Sequence, residues 1–285
     1  MTDVPLDGAI DVHVHSAPDL VDRYESDVAL ARDAVDAGMA GVVVKSHVVP
    51  TVGRVDLVNE AVGEDVLLGG IALNGSVGGV NPDAVEVALE LGAAIVWLPT
   101  AWSANHARQA RAAGVESFVG QRVPGPDEQL SVVDGGDLTP EARRVVDLVG
   151  EYDAVLGTGH VAPDATGAVV DACAEAGTRC LVNHPFFRVV DLSIERQREL
   201  AAKGAYMEYC AYSVESTAGH DVDRIARAVE AVGPERCLLA TDFGQAENPP
   251  VPGLARFAGD LQDAGLSRAT VRRLVAETPA NLLGR

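Results

Sequence analysis

The chain has 285 residues and a mass of 29.6 kDa, with 47% apolar and 22% charged residues, which is ample for a folded core and excludes a disordered or collagen-like chain. Its 22 basic residues stand against 42 acidic ones, and a net charge of −20 repels phosphate backbones, so nucleic acid is not an expected partner. The longest apolar runs, such as Ala40–Val44 and Gly92–Pro99, fall far short of the roughly 20 residues a membrane helix needs, and Met1 to Gly8 lacks the basic and apolar segments of a secretory leader, so the sequence reads as cytoplasmic.

From the N-terminus, short β-branched runs alternate with longer Ala-rich segments of helical spacing, the pattern of parallel strands joined by helices. Strands are predicted at Ala9–His13, Gly41–Lys45, Leu67–Leu73, Ala94–Leu98, Ala154–Thr158, Cys180–Asn183, Ala205–Tyr209 and Cys237–Thr241. Asn81-Pro82 predicts a helix over Asp83–Leu91 and Thr139-Pro140 one over Glu141–Val149, because a capping side chain followed by proline suits the first helical turn. Gly38, Gly92, Gly177, Gly204 and Gly233 fall where helices should stop. Eight such alternations predict one α/β domain over residues 1–285, a (β/α)8 TIM barrel. A doubly wound open sheet is the alternative, but no G-x-G-x-x-G follows the first strand. The stretch from Thr100 to His160 is about twice as long as the other intervals. Its Gly- and Pro-rich part, about residues 114–137, predicts an inserted hairpin or lid after strand 4, with β-like pieces at Ser117–Val119 and Gln129–Val133.

In a barrel the C-terminal strand ends converge, so polar residues there become neighbours. His13 and His15 share a face of the first strand, His47 follows the second, His106 follows the fourth, and His160, His184 and Asp242 end the fifth, sixth and eighth. Six of the seven histidines therefore gather at one end of the barrel, His220 excepted. His-x-His is a metal-chelating spacing. The four cysteines, Cys173, Cys180, Cys210 and Cys237, have no C-x-x-C spacing and read as small buried hydrophobes. Lys45 and Lys203 are the only lysines, a bias expected from either a halophilic or a GC-rich origin, and a retained lysine at a strand end invites a chemical role.

Ile10-Asp-Val-His-Val-His15, the lone histidines of strands five and six, Thr241-Asp242-Phe-Gly and the terminal Thr278-Pro-Ala-Asn-Leu-Leu-Gly284 together resemble the amidohydrolase superfamily over essentially the whole chain. The resemblance implies that His13, His15 and Asp242 bind a divalent metal, Zn²⁺ ahead of Mn²⁺ or Fe²⁺, with His160 and His184 as further ligands for one or two ions. It departs at strand four, where binuclear members carry a lysine or glutamate bridge and this chain reads Trp97-Leu-Pro-Thr100. Lys45 at the end of strand two is left with three roles: a relocated carbamate bridge and metal ligand, a cation that orients an anionic substrate, or a structural partner of a carboxylate such as Glu208. Asp11-Val-His-Val-His-Ser16 also looks like the opening of the polymerase-and-histidinol-phosphatase phosphoesterases, but Asp242-Phe-Gly lacks their closing Asp-x-His.

The implied chemistry is hydrolysis of a small carbonyl compound, an amide, lactam or lactone, by metal-activated water, with Asp242 as proton acceptor and His184 polarising the carbonyl if it is not a ligand. His47, Asn74, Trp102, His106, Arg122, Glu208 and Tyr212 are the candidates for substrate binding. Asn74 competes with a turn role, Trp102 with plugging the barrel mouth, and Glu208 needs a partner, for which Lys45 or Arg122 would serve. A decarboxylase of the same superfamily is the second reading, since Lys45 and Arg122 would suit a carboxylate. A barrel that has lost catalysis and only binds is the third. Barrels of this class commonly associate, and Leu254–Ala264 and Thr270–Glu277 are candidate contacts for a homo-oligomer.

Overall fold

A computed structural model describes residues 4–117, 119, 124–216 and 221–285. Eight short parallel strands form its centre: β1 (Ile10–Val14), β2 (Gly41–Val44), β3 (Leu67–Leu68 and Gly70–Ala72, interrupted at Gly69), β4 (Ile95–Trp97), β5 (Val155–Gly157), β6 (Arg179–Val182), β7 (Tyr206–Cys210) and β8 (Cys237–Ala240). One ladder runs β1-β2-β3 through Leu67–Leu68, and another runs from Gly70–Ala72 through β4, β5, β6 and β7 to β8. The same strand β3 serves both. The ring closes between β1 and the end of β8, where Asp242 donates its N–H to the His13 carbonyl at 2.8 Å and His15 donates to the Phe243 carbonyl at 2.8 Å. Val14 and Phe243 form a parallel bridge there. The expected eight-stranded barrel is the observed architecture.

Helices form where capping groups begin them. Asn81 accepts from the backbone of Asp83 and Ala84 to start the helix Pro82–Glu90, and Thr139 accepts from Ala142 to start Pro140–Glu151. No described helix is long and apolar enough to cross a membrane. The insertion differs in detail from the sequence reading. Its hairpin pairs Val133–Asp134 with Asp137–Leu138, a few residues later than the predicted piece Gln129–Val133, because Gly135 and Gly136, both at positive φ, supply a two-residue turn, while Phe118 of the other predicted piece, Ser117–Val119, lies outside the described residues. Leu130 is bonded to the backbone of Trp102 and Ala104, which ties the insertion to the loop after β4.

Two apolar layers result. The larger packs the outer strand faces against the helices, and the smaller fills the barrel with Val43, Ile95, Trp97, Val155, Leu181, Leu238 and Ala240. Leu282, with Ala280 and Leu283 beside it, joins this inner layer, so the terminal helix Thr278–Leu283 caps it with its apolar side chains. Trp97 is fully buried, with its ring 6.2 Å from that of His13 and 5.4 Å from Lys45 Nζ. It fits because Gly157 on the neighbouring strand has no side chain: a Cβ there would sit 2.5 Å from the Trp97 ring and 2.8 Å from Asn183 Oδ1. Gly157→Ala is therefore expected to destabilise the fold by about 1–3 kcal/mol through overpacking. In urea unfolding, the Gly157→Ala/Trp97→Leu pair should cost less than the two single changes added together. Strict additivity would contradict this reading of the contact.

Candidate metal centre

The seam between β1 and β8 assembles the site. Asp11 is buried and its carboxylate accepts from Thr241 N, from Thr241 Oγ1 at 2.7 Å and from His13 N at 3.1 Å. Burial, opposed by these bonds, pushes its pKa up to about 7. The β1-β2 register slips between Asp11 and Val14, the place where the His-x-His pair emerges. Asp242 and His184 both have left-handed backbones, with φ of 52° and 30°, which side chains other than glycine adopt only under local constraint.

His13 is the centre of the arrangement. Its Nδ1 lies 3.2 Å from Glu208 Oε1, and an ionised carboxylate only accepts, so Nδ1 carries the hydrogen. Glu208 is fully buried, is held in turn by Asn183 Nδ2 at 2.7 Å, and has its pKa lowered: burial is outweighed by the charge and hydrogen bonds of His13 and by Asn183. The opposite nitrogen of His13, Nε2, faces Asp242 Oδ1 at 3.1 Å and Lys45 Nζ at 3.0 Å. Asp242 Oδ1 also meets His15 Nε2 at 3.2 Å. Burial disfavours charge on His13, yet Asp242 and Glu208 together hold its pKa up at about 9. Burial lowers His15 to about 3 and His184 to about 4, keeps His47 and His160 well below the usual range, and lowers Lys45.

These donors fit a divalent ion. Ligands about 2.0–2.1 Å from a tetrahedral Zn²⁺ lie about 3.3 Å from one another; His13 and His15 approach the same oxygen, Asp242 Oδ1, at 3.1 and 3.2 Å, and the donors that all lie within 4.8 Å of one another are those of His13, Cys210 and Asp242, not of His15. The Glu208–His13 contact is the carboxylate–histidine support that metal-binding imidazoles use. Cys210, expected only as a buried hydrophobe, brings a third type of donor: His13, Cys210 and Asp242 each place a ligand atom within 4.8 Å of the other two. The signal for it was present in Glu208-Tyr-Cys210, where period two puts the thiol on the face of the carboxylate.

A cavity of about 260 Å³ opens beside the centre, and its wall includes His15, Lys45, His47, His160, Tyr212 and Asp242. It also includes Arg23 and Phe187, which the sequence reading did not single out. Arg23 has a buried side chain fixed by Asp19 at 2.7 and 2.9 Å, and its contact with His15 Nδ1 is a long 3.5 Å. Other expected substrate residues lie elsewhere. Glu208 is behind His13, and its oxygens go to His13 and Asn183 instead of Lys45. Asn74 is buried and its amide is spent on the His47 carbonyl and on Thr100, which itself bonds His47 Nδ1 at 2.8 Å. Trp102 packs over Gly75, outside the cavity wall. His106 stands behind His160, their Nδ1 atoms 2.7 Å apart and their rings stacked. His184 lies off the cavity wall, 5.0 Å from the His160 ring and 5.9 Å from that of His13, with its Nδ1 buried and unpartnered among the described residues. Arg122 and His220 lie outside the described residues.

At neutral pH a His13 with a pKa of about 9 holds a proton that a metal must displace. Zinc uptake at pH 7, followed calorimetrically in buffers of different ionisation enthalpy, should release about one proton or more. The apparent affinity should fall by about tenfold or more per pH unit as pH drops below about 9. Glu208→Gln should weaken zinc binding by about 10–100-fold. A pH-independent affinity would contradict the assignment of His13.

A family model described as a family of unknown function, DUF6282, matches residues 8–208. A search of curated proteins finds no match. Among solved structures, an amidohydrolase from Pseudomonas aeruginosa shares 14% identity at a TM-score of 0.63, covering 97% of this chain and 95% of that one. A metallopeptidase, dipeptidase AC, shares 13% at 0.64 and covers 98% of both chains. A 2,6-dihydroxybenzoate decarboxylase from Rhizobium shares 11% at 0.56, covering 98% of this chain and 99% of that one. At these identities the likeness is one of fold, and it agrees with the barrel derived from the strand ladders. The match over residues 8–208 goes further: the chain belongs to the DUF6282 family, carried on the barrel fold of the amidohydrolases.

Proposed function

We propose that the protein is a metal-dependent hydrolase of small carbonyl compounds, amides, lactams or lactones. The observation that carries this reading is the convergence of His13 Nε2 and His15 Nε2 on one oxygen of Asp242 beside a cavity of about 260 Å³. A divalent ion, Zn²⁺ before Mn²⁺ or Fe²⁺, held by His13, His15 and Asp242 would lower the pKa of water from about 15.7 toward roughly 7. The remaining work belongs to the chain. Asp242 stays ionised, because His13 and His15 more than offset its burial and hold its pKa well below the usual carboxylate range. It lies in the cavity wall, where it can accept a proton from water and return it to a leaving nitrogen or oxygen. His47 and His160, neutral through burial and also in the wall, are placed to donate to a carbonyl oxygen, the part first assigned to His184.

A second reading, decarboxylation, is favoured by one observation: Arg23 and Lys45 both face this cavity, and two cationic side chains suit a carboxylate. The test is turnover by zinc-loaded protein on a set of lactones, cyclic amides and N-acyl amino acids, with carbon dioxide monitored in parallel on unsaturated acids. Chelator-sensitive hydrolysis, reduced about 10²–10⁴-fold in Asp242→Asn, is expected. Release of carbon dioxide without hydrolysis would favour the second reading. Hydrolysis that survives both the chelator and Asp242→Asn would contradict the proposal.

A further inference from the structure

We infer that Cys210 is a metal ligand, and that this centre binds its ion through sulfur as well as nitrogen and oxygen. The inference rests on the metal reading above and specifies its donor set. Three observations carry it. Cys210 Sγ lies within 4.8 Å of donor atoms of both His13 and Asp242. On β7, Glu208 and Cys210 alternate onto one face, so the strand that supports His13 from behind with Glu208 presents the thiol one step nearer the barrel mouth. The register puts Cys210 beside Ala240, two residues before Asp242.

The other cysteines set Cys210 apart. Cys173, Cys180 and Cys237 pack in the outer layer between strands and helices, whereas Cys210 is in the barrel interior. It is completely buried. His184 Nδ1, buried and without a partner among the described residues, belongs to a side chain that lines, with Cys210, a narrow void separate from the main cavity. A site with only His and carboxylate donors accepts a broad range of divalent ions. A thiolate narrows the choice to borderline and softer ions such as Zn²⁺ and Co²⁺ at the expense of Mg²⁺ and Mn²⁺. As the sulfur–metal bond forms, the S–H bond breaks heterolytically and its proton passes to solvent, with no change of oxidation state.

The experiment is cobalt substitution of the full-length protein. Wild type loaded with Co²⁺ should show visible d–d bands together with a sulfur-to-cobalt charge-transfer band in the near ultraviolet. Cys210→Ser should keep the d–d bands, lose the charge-transfer band, and bind zinc at least about tenfold more weakly in competition with a chromophoric chelator. Zinc-edge X-ray absorption of the wild type reads the same point without any variant, with a sulfur scatterer expected at about 2.3 Å. Cobalt bound with d–d bands but no charge transfer, or a charge-transfer band that survives in Cys210→Ser, would overturn the role of Cys210 while leaving the metal centre standing. Failure of saturating cobalt and zinc to bind would overturn both readings together.

Discussion

Two carboxylates, Glu208 and Asp242, are buried on either side of one imidazole, and the rest of the site is arranged around that fact. Each buried anion costs several kcal/mol to desolvate unless positive charge compensates it. Without a metal the molecule meets this demand by holding a proton on His13, whose pKa of about 9 records the strength of the pull. A divalent ion satisfies the same demand better, and the imidazoles of His15 and His184, held neutral by burial, add no competing charge. One physical constraint thus accounts for the raised pKa of His13 and for Asn183 bracing Glu208 from behind.

That constellation depends on barrel closure. His13 and Asp242 are distant in sequence, and they meet because Asp11 on β1 binds both the backbone and the hydroxyl of Thr241 while Asp242 donates to the His13 carbonyl. Below them Trp97 fills the barrel interior. The inner layer, capped by Leu282 of the terminal helix, therefore serves as the floor of the site as well as a source of stability.

Much of this was legible in one dimension. Strand ends recur at regular intervals, so His13, His15, His160, His184 and Asp242 could be assigned to one end of a barrel from spacing and parity alone. What spacing does not reveal is which polar side chain is already engaged. Asn74 and His106 look like substrate residues because they follow strands, yet each is occupied in holding a neighbour, His47 or His160. Period two puts Glu208 and Cys210 on one face of β7, but their nearness to His13 arises only when β7 and β1 flank β8. Arg23 lies in the loop after β1, and its approach to the cavity is set by a salt bridge to Asp19 that no periodicity announces. The hairpin position was readable from Gly135-Gly136, a stronger turn signal than the β-branched pieces before it.

The account stands or falls on a cation between His13 and Asp242. The most direct measurement is metal content by plasma mass spectrometry on protein purified without chelator, alongside His13→Ala and Lys45→Ala. One equivalent or more of a zinc-like metal in the wild type, lost in His13→Ala, is the predicted result. If the metal remains in Lys45→Ala, that lysine serves the cavity and not the metal; a fall from two equivalents toward one makes it a bridge. Wild-type protein that contains no metal, and takes none up on reconstitution with zinc, would contradict the account.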